Sequence, residues 1–96
     1  MKILALEHEL PNATADQFQQ VAKAEASKVW EYHQAGVIRE LYFRADKNEA
    51  VLILECASVG EAQAILATLP LIQAGLISFE VIPLKAYSGF ERLFEN

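Results

Sequence analysis

Two helix-start signals fix the frame of this chain. Thr14 is followed three residues later by Gln17, and Ser58 by Glu61. Each pair is a capping box, in which a Ser or Thr side chain and a Glu or Gln side chain satisfy free backbone N–H groups of a helix's first turn. Each box follows a short apolar run. Lys2 to His8 precedes the first, after a break at Leu10-Pro11-Asn12, and Ala50 to Ala57 precedes the second. The first helix extends to about Ala35 and stops at Gly36, since glycine readily takes the left-handed conformation past a helix end. The second extends to about Leu69, where Pro70 ends it because proline disfavours helix in the residue before it.

Val37 to Arg44 and Ala50 to Ala57 then read as strands joined by the polar turn Ala45-Asp46-Lys47-Asn48-Glu49, and Leu76 to Leu84 as a fourth strand. The order β-α-β-β-α-β is the split-βαβ arrangement. It predicts an α+β, ferredoxin-like domain, with a four-stranded antiparallel sheet and two helices on one face, over residues 1–86. Residues 87–96 form a tail with Tyr87, Phe90, Leu93 and Phe94. Solvated tails are poor in such residues, so this one is expected to dock on its own domain or on a partner.

A sheet with one wet face should alternate apolar and polar residues. Here both parities are apolar: Val51 and Ile53 but also Leu52 and Leu54, Ile77 and Phe79 but also Leu76 and Ile82. A chain of 96 residues builds only a thin core, yet 53% of this one is hydrophobic. The economical cover for the second sheet face is another copy, sheet on sheet, which predicts a homodimer able to assemble further.

Composition narrows the partners. The net charge is −5 and the eight Lys and Arg are scattered, which argues against nucleic acid. No run of about 18 apolar residues could span a membrane, and the first nine residues lack the features of a secretory signal. A single cysteine, Cys56, allows no internal disulfide, so the default location is cytoplasmic and the thiol is expected to be buried and inert.

Glu25 is the most informative polar residue. At 100° per residue it falls within the apolar stripe of the first helix, which includes Phe18, Val21, Ala22, Val29 and Tyr32. A carboxylate there must be paired, hydrogen-bonded or protonated, and desolvation would raise its pKa into a range useful for proton transfer. Arg39 is suited to hold a substrate carboxylate in a two-point contact or to pair with Glu25 or Glu55. Tyr42, three residues on, points to the opposite face unless a bulge intervenes, and shares its face with Glu40. Glu25 and Arg39 are the candidate catalytic pair, and Tyr42, Glu40, Glu55 and His8 the candidate ligand contacts. His8 and His33 also read as ordinary hydrogen-bonded boundary residues. The set His8, His33, Glu25 and Glu55 lacks metal-motif spacing, so no metal is expected. No phosphate loop or nucleophile elbow is present.

The segments Gly36-Val37-Ile38-Arg39-Glu40-Leu41-Tyr42, Leu69-Pro70-Leu71 and Val81-Ile82-Pro83-Leu84, the strand ending at Glu55, and Lys23-Ala24-Glu25 ahead of Glu31 resemble muconolactone Δ-isomerases over about residues 15–86. The chain departs from that pattern at Glu40, where a histidine is usual, after Tyr42, and in a longer segment between Leu71 and the last strand. The resemblance implies a dimeric α+β barrel whose dimers assemble further. It also implies a cofactor-free double-bond shift, by proton transfer, in a small unsaturated lactone or carboxylic acid. Two other uses of such a fold stand beside it: a non-catalytic ligand-binding or dimerisation domain, and a cofactor-free monooxygenase.

Overall fold

The computed structural model describes residues 1–96. Strand β1 (Lys2–Glu9) leads to helix α1 (Ala15–Gln34), strands β2 (Ile38–Phe43) and β3 (Ala50–Glu55), helices α2 (Val59–Leu66) and α3 (Pro70–Gln73), and strand β4 (Ile77–Leu84). The sheet order is β2-β3-β1-β4 with every pairing antiparallel. This is the predicted ferredoxin-like α+β architecture.

Both capping signals act as starts. Thr14 Oγ1 accepts the Gln17 N–H, and Gln17 Oε1 accepts the Thr14 N–H. At α2, Ser58 Oγ accepts the Glu61 N–H, while the Glu61 carboxylate reaches one residue further back, to the Ala57 N–H. Gly36, at φ +78°, provides the left-handed turn after α1.

The segment around Pro70 differs from the sequence expectation. Helix α2 stops at Leu66, and Pro70 opens α3 instead of ending α2. Proline suits the first helical position, where its fixed φ is already helical and its missing N–H has no partner to lose.

The helices cover one face of the sheet. Ile3, Ala5, Ile38, Leu52 and Leu54 point into it and pack against Ala62, Leu66 and Leu69. Leu71, Leu76 and Ile77 form a second cluster, with Phe18, Val21 and Phe79 at its edge. Helix α1 is the loosest layer, for none of its residues is buried. It packs at its two ends and stands off the sheet between them. The opposite sheet face carries Leu4, Leu6, Val51, Ile53 and Ile82, all half-buried.

The tail winds into a short 3₁₀ turn over Gly89–Phe94. Tyr87 and Phe90 meet edge to face at 5.0 Å, yet Tyr87, Phe90, Leu93 and Phe94 are all at least 68% exposed. Within one chain the tail therefore finds no apolar cover.

Candidate functional site

The gap between α1 and the sheet is a cavity of about 840 Å³. Its floor is sheet, with Ala50, Leu52 and Phe79, and its roof is α1, with Phe18, Ala22 and Val29. Trp30, Leu41, Tyr42 and Phe43 line it and are solvent-exposed, which makes them its mouth. Thirteen of its 19 lining residues are hydrophobic, so a polar group inside it is poorly solvated.

Three carboxyls line this cavity; Glu9 is exposed, while Glu7 and Glu25 are drawn into the apolar setting. Glu7 follows Ile3 and Ala5 on the inward parity of β1, paired with Phe79 on one side and neighboured by Ala50 on the other. It is only 7% exposed. Burial raises its pKa from 4.5 to about 7; the Ala50 N–H opposes the rise, and the charges of Glu25, Glu49 and Glu9 add to it. A carboxyl poised near neutrality both accepts and returns a proton at little cost.

Glu25 projects from the middle of α1. Burial raises its pKa, partly offset by the Leu71 N–H, which donates to Oε1 at 2.9 Å. Leu71 lies in the first turn of α3, and Leu69 at that helix's N-cap offers no side-chain cap. Glu25 thus caps α3 from a distant helix, and this bond fixes one of its oxygens while leaving the other free.

His33 also lines the cavity, with Nδ1 2.8 Å from the Ile38 carbonyl. A carbonyl only accepts, so Nδ1 carries the proton, and in the neutral ring Nε2 is an acceptor.

The predicted pair of Glu25 and Arg39 does not form. A bulge shifts the register of β2 between Ile38 and Glu40, and the Arg39 guanidinium turns back to donate from Nε to the Gly36 carbonyl. Arg39 is absent from the cavity wall. Of the other candidates, Tyr42 lines the mouth and donates to Glu40 at 2.8 Å, while Glu40 itself lies outside the wall. That bond raises the Tyr42 pKa. Glu55 sits 3.6 Å from the N-terminal ammonium, and His8 lies 3.7 Å from Glu80; neither reaches the cavity. Cys56 is buried, with its pKa raised chiefly by desolvation. No group of three or more His, Cys, Asp or Glu side chains is arranged to hold a metal ion, and no helix is long and apolar enough to cross a membrane.

Glu7 was missed from sequence because Glu7-His8-Glu9 reads as the polar end of a strand. The available signal was parity: Ile3, Ala5 and Glu7 alternate on one face, so the carboxyl shares the face of two core residues.

Fold and cavity together define a ferredoxin-like α+β domain with a carboxyl-bearing cavity between its long helix and its sheet. The chain belongs to the muconolactone delta-isomerase family, whose model matches residues 4–89. Among curated proteins none matches this sequence. The fold is shared with a muconolactone isomerase crystal structure, at TM-score 0.76 and 20% identity over 92% of each chain. It is shared too with 5-chloro-2-hydroxyhydroquinone dehydrochlorinase (TftG) from Burkholderia phenoliruptrix AC1100, solved in complex with 2,5-dihydroxybenzoquinone. That match has TM-score 0.71 and 19% identity, and covers 93% of this chain and 98% of the other. At these identities the two structures bear on the fold alone.

Proposed function

We propose that the protein is an isomerase that shifts a double bond in a small unsaturated lactone or related ring by proton transfer, without a cofactor. The observation that carries this reading is the placement of Glu7 and Glu25 in one apolar cavity. The carboxylate of Glu7 removes a proton from a ring carbon next to an unsaturated carbonyl. The electron pair moves into the conjugated system and places negative charge on the carbonyl oxygen. Glu7 then returns the proton to the far end of that system, so the ring gains and loses nothing. Glu25, held by Leu71 at one oxygen, donates from the other when protonated and stabilises the enolate. Arg39 has no part in this scheme, because its guanidinium turns back to the Gly36 carbonyl and is absent from the cavity wall.

Both neighbours' names are consistent with the first step, since isomerisation and loss of hydrogen chloride can each begin with removal of a proton from the substrate. The test is solvent-deuterium exchange into candidate unsaturated lactones and cyclic enones, followed by NMR. Glu7→Gln should cut the exchange rate by about 10²–10⁴. Full retention of exchange in that variant refutes the role of Glu7.

We propose further that the protein works as a homodimer, and that its dimers can assemble further. The half-buried row Leu4, Leu6, Val51, Ile53 and Ile82 on the open sheet face supports sheet-on-sheet pairing. The exposed aromatic turn over Gly89–Phe94 supports docking of the tail on the second copy.

A further inference from the structure

The ionisable side chains on the cavity wall are Glu7, Glu9, Glu25, His33 and Tyr42. The glutamates and the tyrosine are neutral or negative, so His33 is the one that can become positive. Nearby cations are engaged elsewhere: Lys47 stands 3.3 Å from Glu49, Arg44 pairs with Asp46, and Arg39 is turned to the Gly36 carbonyl. His33 is also held in place. Gly36, at φ +78°, reverses the chain after α1, and the carbonyl of fully buried Ile38 comes within 2.8 Å of Nδ1. The Trp30 ring flanks the imidazole, with 6.0 Å between centroids. With Nδ1 occupied, Nε2 is the ring's free nitrogen, and protonation turns it from acceptor to donor. The last turn of α1, where His33 sits, favours that cation, because the helix dipole ends negative there.

We propose that His33 orients the substrate, holding an acidic substituent at Nε2 so that the unsaturated ring lies toward Glu7 and Glu25. This rests on the isomerase reading and adds the residue that sets the direction of binding. Position carries the argument. His33 is exposed beside Trp30 at the mouth, whereas Glu7 is buried. His33 follows Glu25 on α1 by two turns, about 12 Å along the helix axis. An acid group placed beside the glutamates would meet like charge in apolar surroundings, a costly arrangement. The same group at His33 meets a hydrogen-bond donor and, once the ring is protonated, an opposite charge. Of the two ways to insert such a ligand, only the one with its acid at the mouth avoids the repulsion, and that one delivers the ring to Glu7. Because His33 is exposed, the gain in affinity is modest.

The probes are a saturated five-membered lactone with an acetate arm and the primary amide of the same compound, which differ in charge and hardly in size. Both are titrated calorimetrically into the full-length protein at about pH 6, where an imidazole can take up a proton, in whatever assembly it forms. The acid should bind about fivefold more tightly than the amide. His33→Gln, whose side-chain amide can still donate to the Ile38 carbonyl, should bring the acid down to the level of the amide and leave the amide unchanged. His33→Lys, which returns a cation in a different shape, should recover the preference for the acid. A preference for the acid that survives in His33→Gln overturns the proposal, because another cation then holds the acid. Equal loss of both probes in His33→Gln overturns it too, since that marks a structural role. So do a lysine variant that recovers nothing, and a natural protein that binds neither probe at millimolar concentration or does not prefer the acid. Deuterium exchange separates this inference from the one beneath it. If His33→Gln keeps the acid preference while Glu7→Gln still abolishes exchange, only the anchor falls. If His33→Gln loses the preference while Glu7→Gln exchanges at the full rate, the anchor stands and the acid–base assignment falls.

Discussion

Replacing Glu7 with glutamine should make the protein more stable as well as less active, and the gain should depend on pH. The Glu7 pKa stands at about 7 in the folded chain against an ordinary 4.5. Below about pH 4.5 the carboxyl is protonated in both the folded and unfolded states, and it contributes no pH dependence. As pH rises from 4.5 toward 7 the unfolded chain ionises first and releases its proton, so the folded state loses ground. Above 7 the folded carboxyl ionises too, and the loss levels off. The rise from 4.5 to about 7, at about 1.4 kcal/mol for each pH unit, gives at most about 3.5 kcal/mol at the plateau. Glu7 lines a cavity whose mouth is open to solvent, so water screens part of this and roughly 2–3 kcal/mol remains. Glutamine is a neutral mimic of the protonated acid and does not titrate. Glu7→Gln should therefore match the natural protein near pH 4 and exceed it above pH 7. At about 4–8 °C per kcal/mol for a domain of this size, the gap in Tm should reach roughly 10–20 °C. Thermal unfolding followed by circular dichroism at pH 4, 6 and 8, at one fixed protein concentration, measures it. A gap that stays constant across those pH values would refute the reasoning, since it would mean that Glu7 titrates alike in both states.

The other predictions concern Glu25 and the open sheet face. Glu25→Ala should destabilise by about 1–2 kcal/mol in chemical denaturation, because the buried Leu71 N–H loses its acceptor. Glu25→Gln, which keeps an oxygen for that bond, should restore much of the stability while still slowing proton exchange; equal stability of the two variants would refute the capping role. Ile53→Glu places a charge in the apolar row of the outer face, and in analytical ultracentrifugation it should shift the protein from dimer to monomer. Deleting residues 87–96 should weaken the same association, and an unchanged sedimentation profile in both variants would refute the proposed assembly.

The local part of this protein was written in its sequence. A capping box spans four residues, so Thr14-Gln17 and Ser58-Glu61 declared their helix starts without reference to the rest of the chain. Glycine's freedom at positive φ placed the end of α1 at Gly36. The 3.6-residue period alone puts Glu25 within the apolar stripe of that helix. Pro70 was ambiguous because proline both excludes helix before it and favours helix after it, and only the packing of Leu69 and Leu71 shows which effect prevails.

The site was a matter of tertiary structure. Glu7 becomes a functional candidate only because β1 lies between β3 and β4, which sets Ala50 and Phe79 beside its carboxyl and a helix above it. Glu25 acquires its hydrogen bond from a residue 46 positions away. Arg39 loses its expected role to a bulge, a register change that depends on how β2 meets β3. Hydrogen bonds within one turn follow from neighbouring residues, and so can be read along the chain. Desolvation and long-range pairing depend on which distant segments close over a group, and that is decided only when the sheet and helices come together.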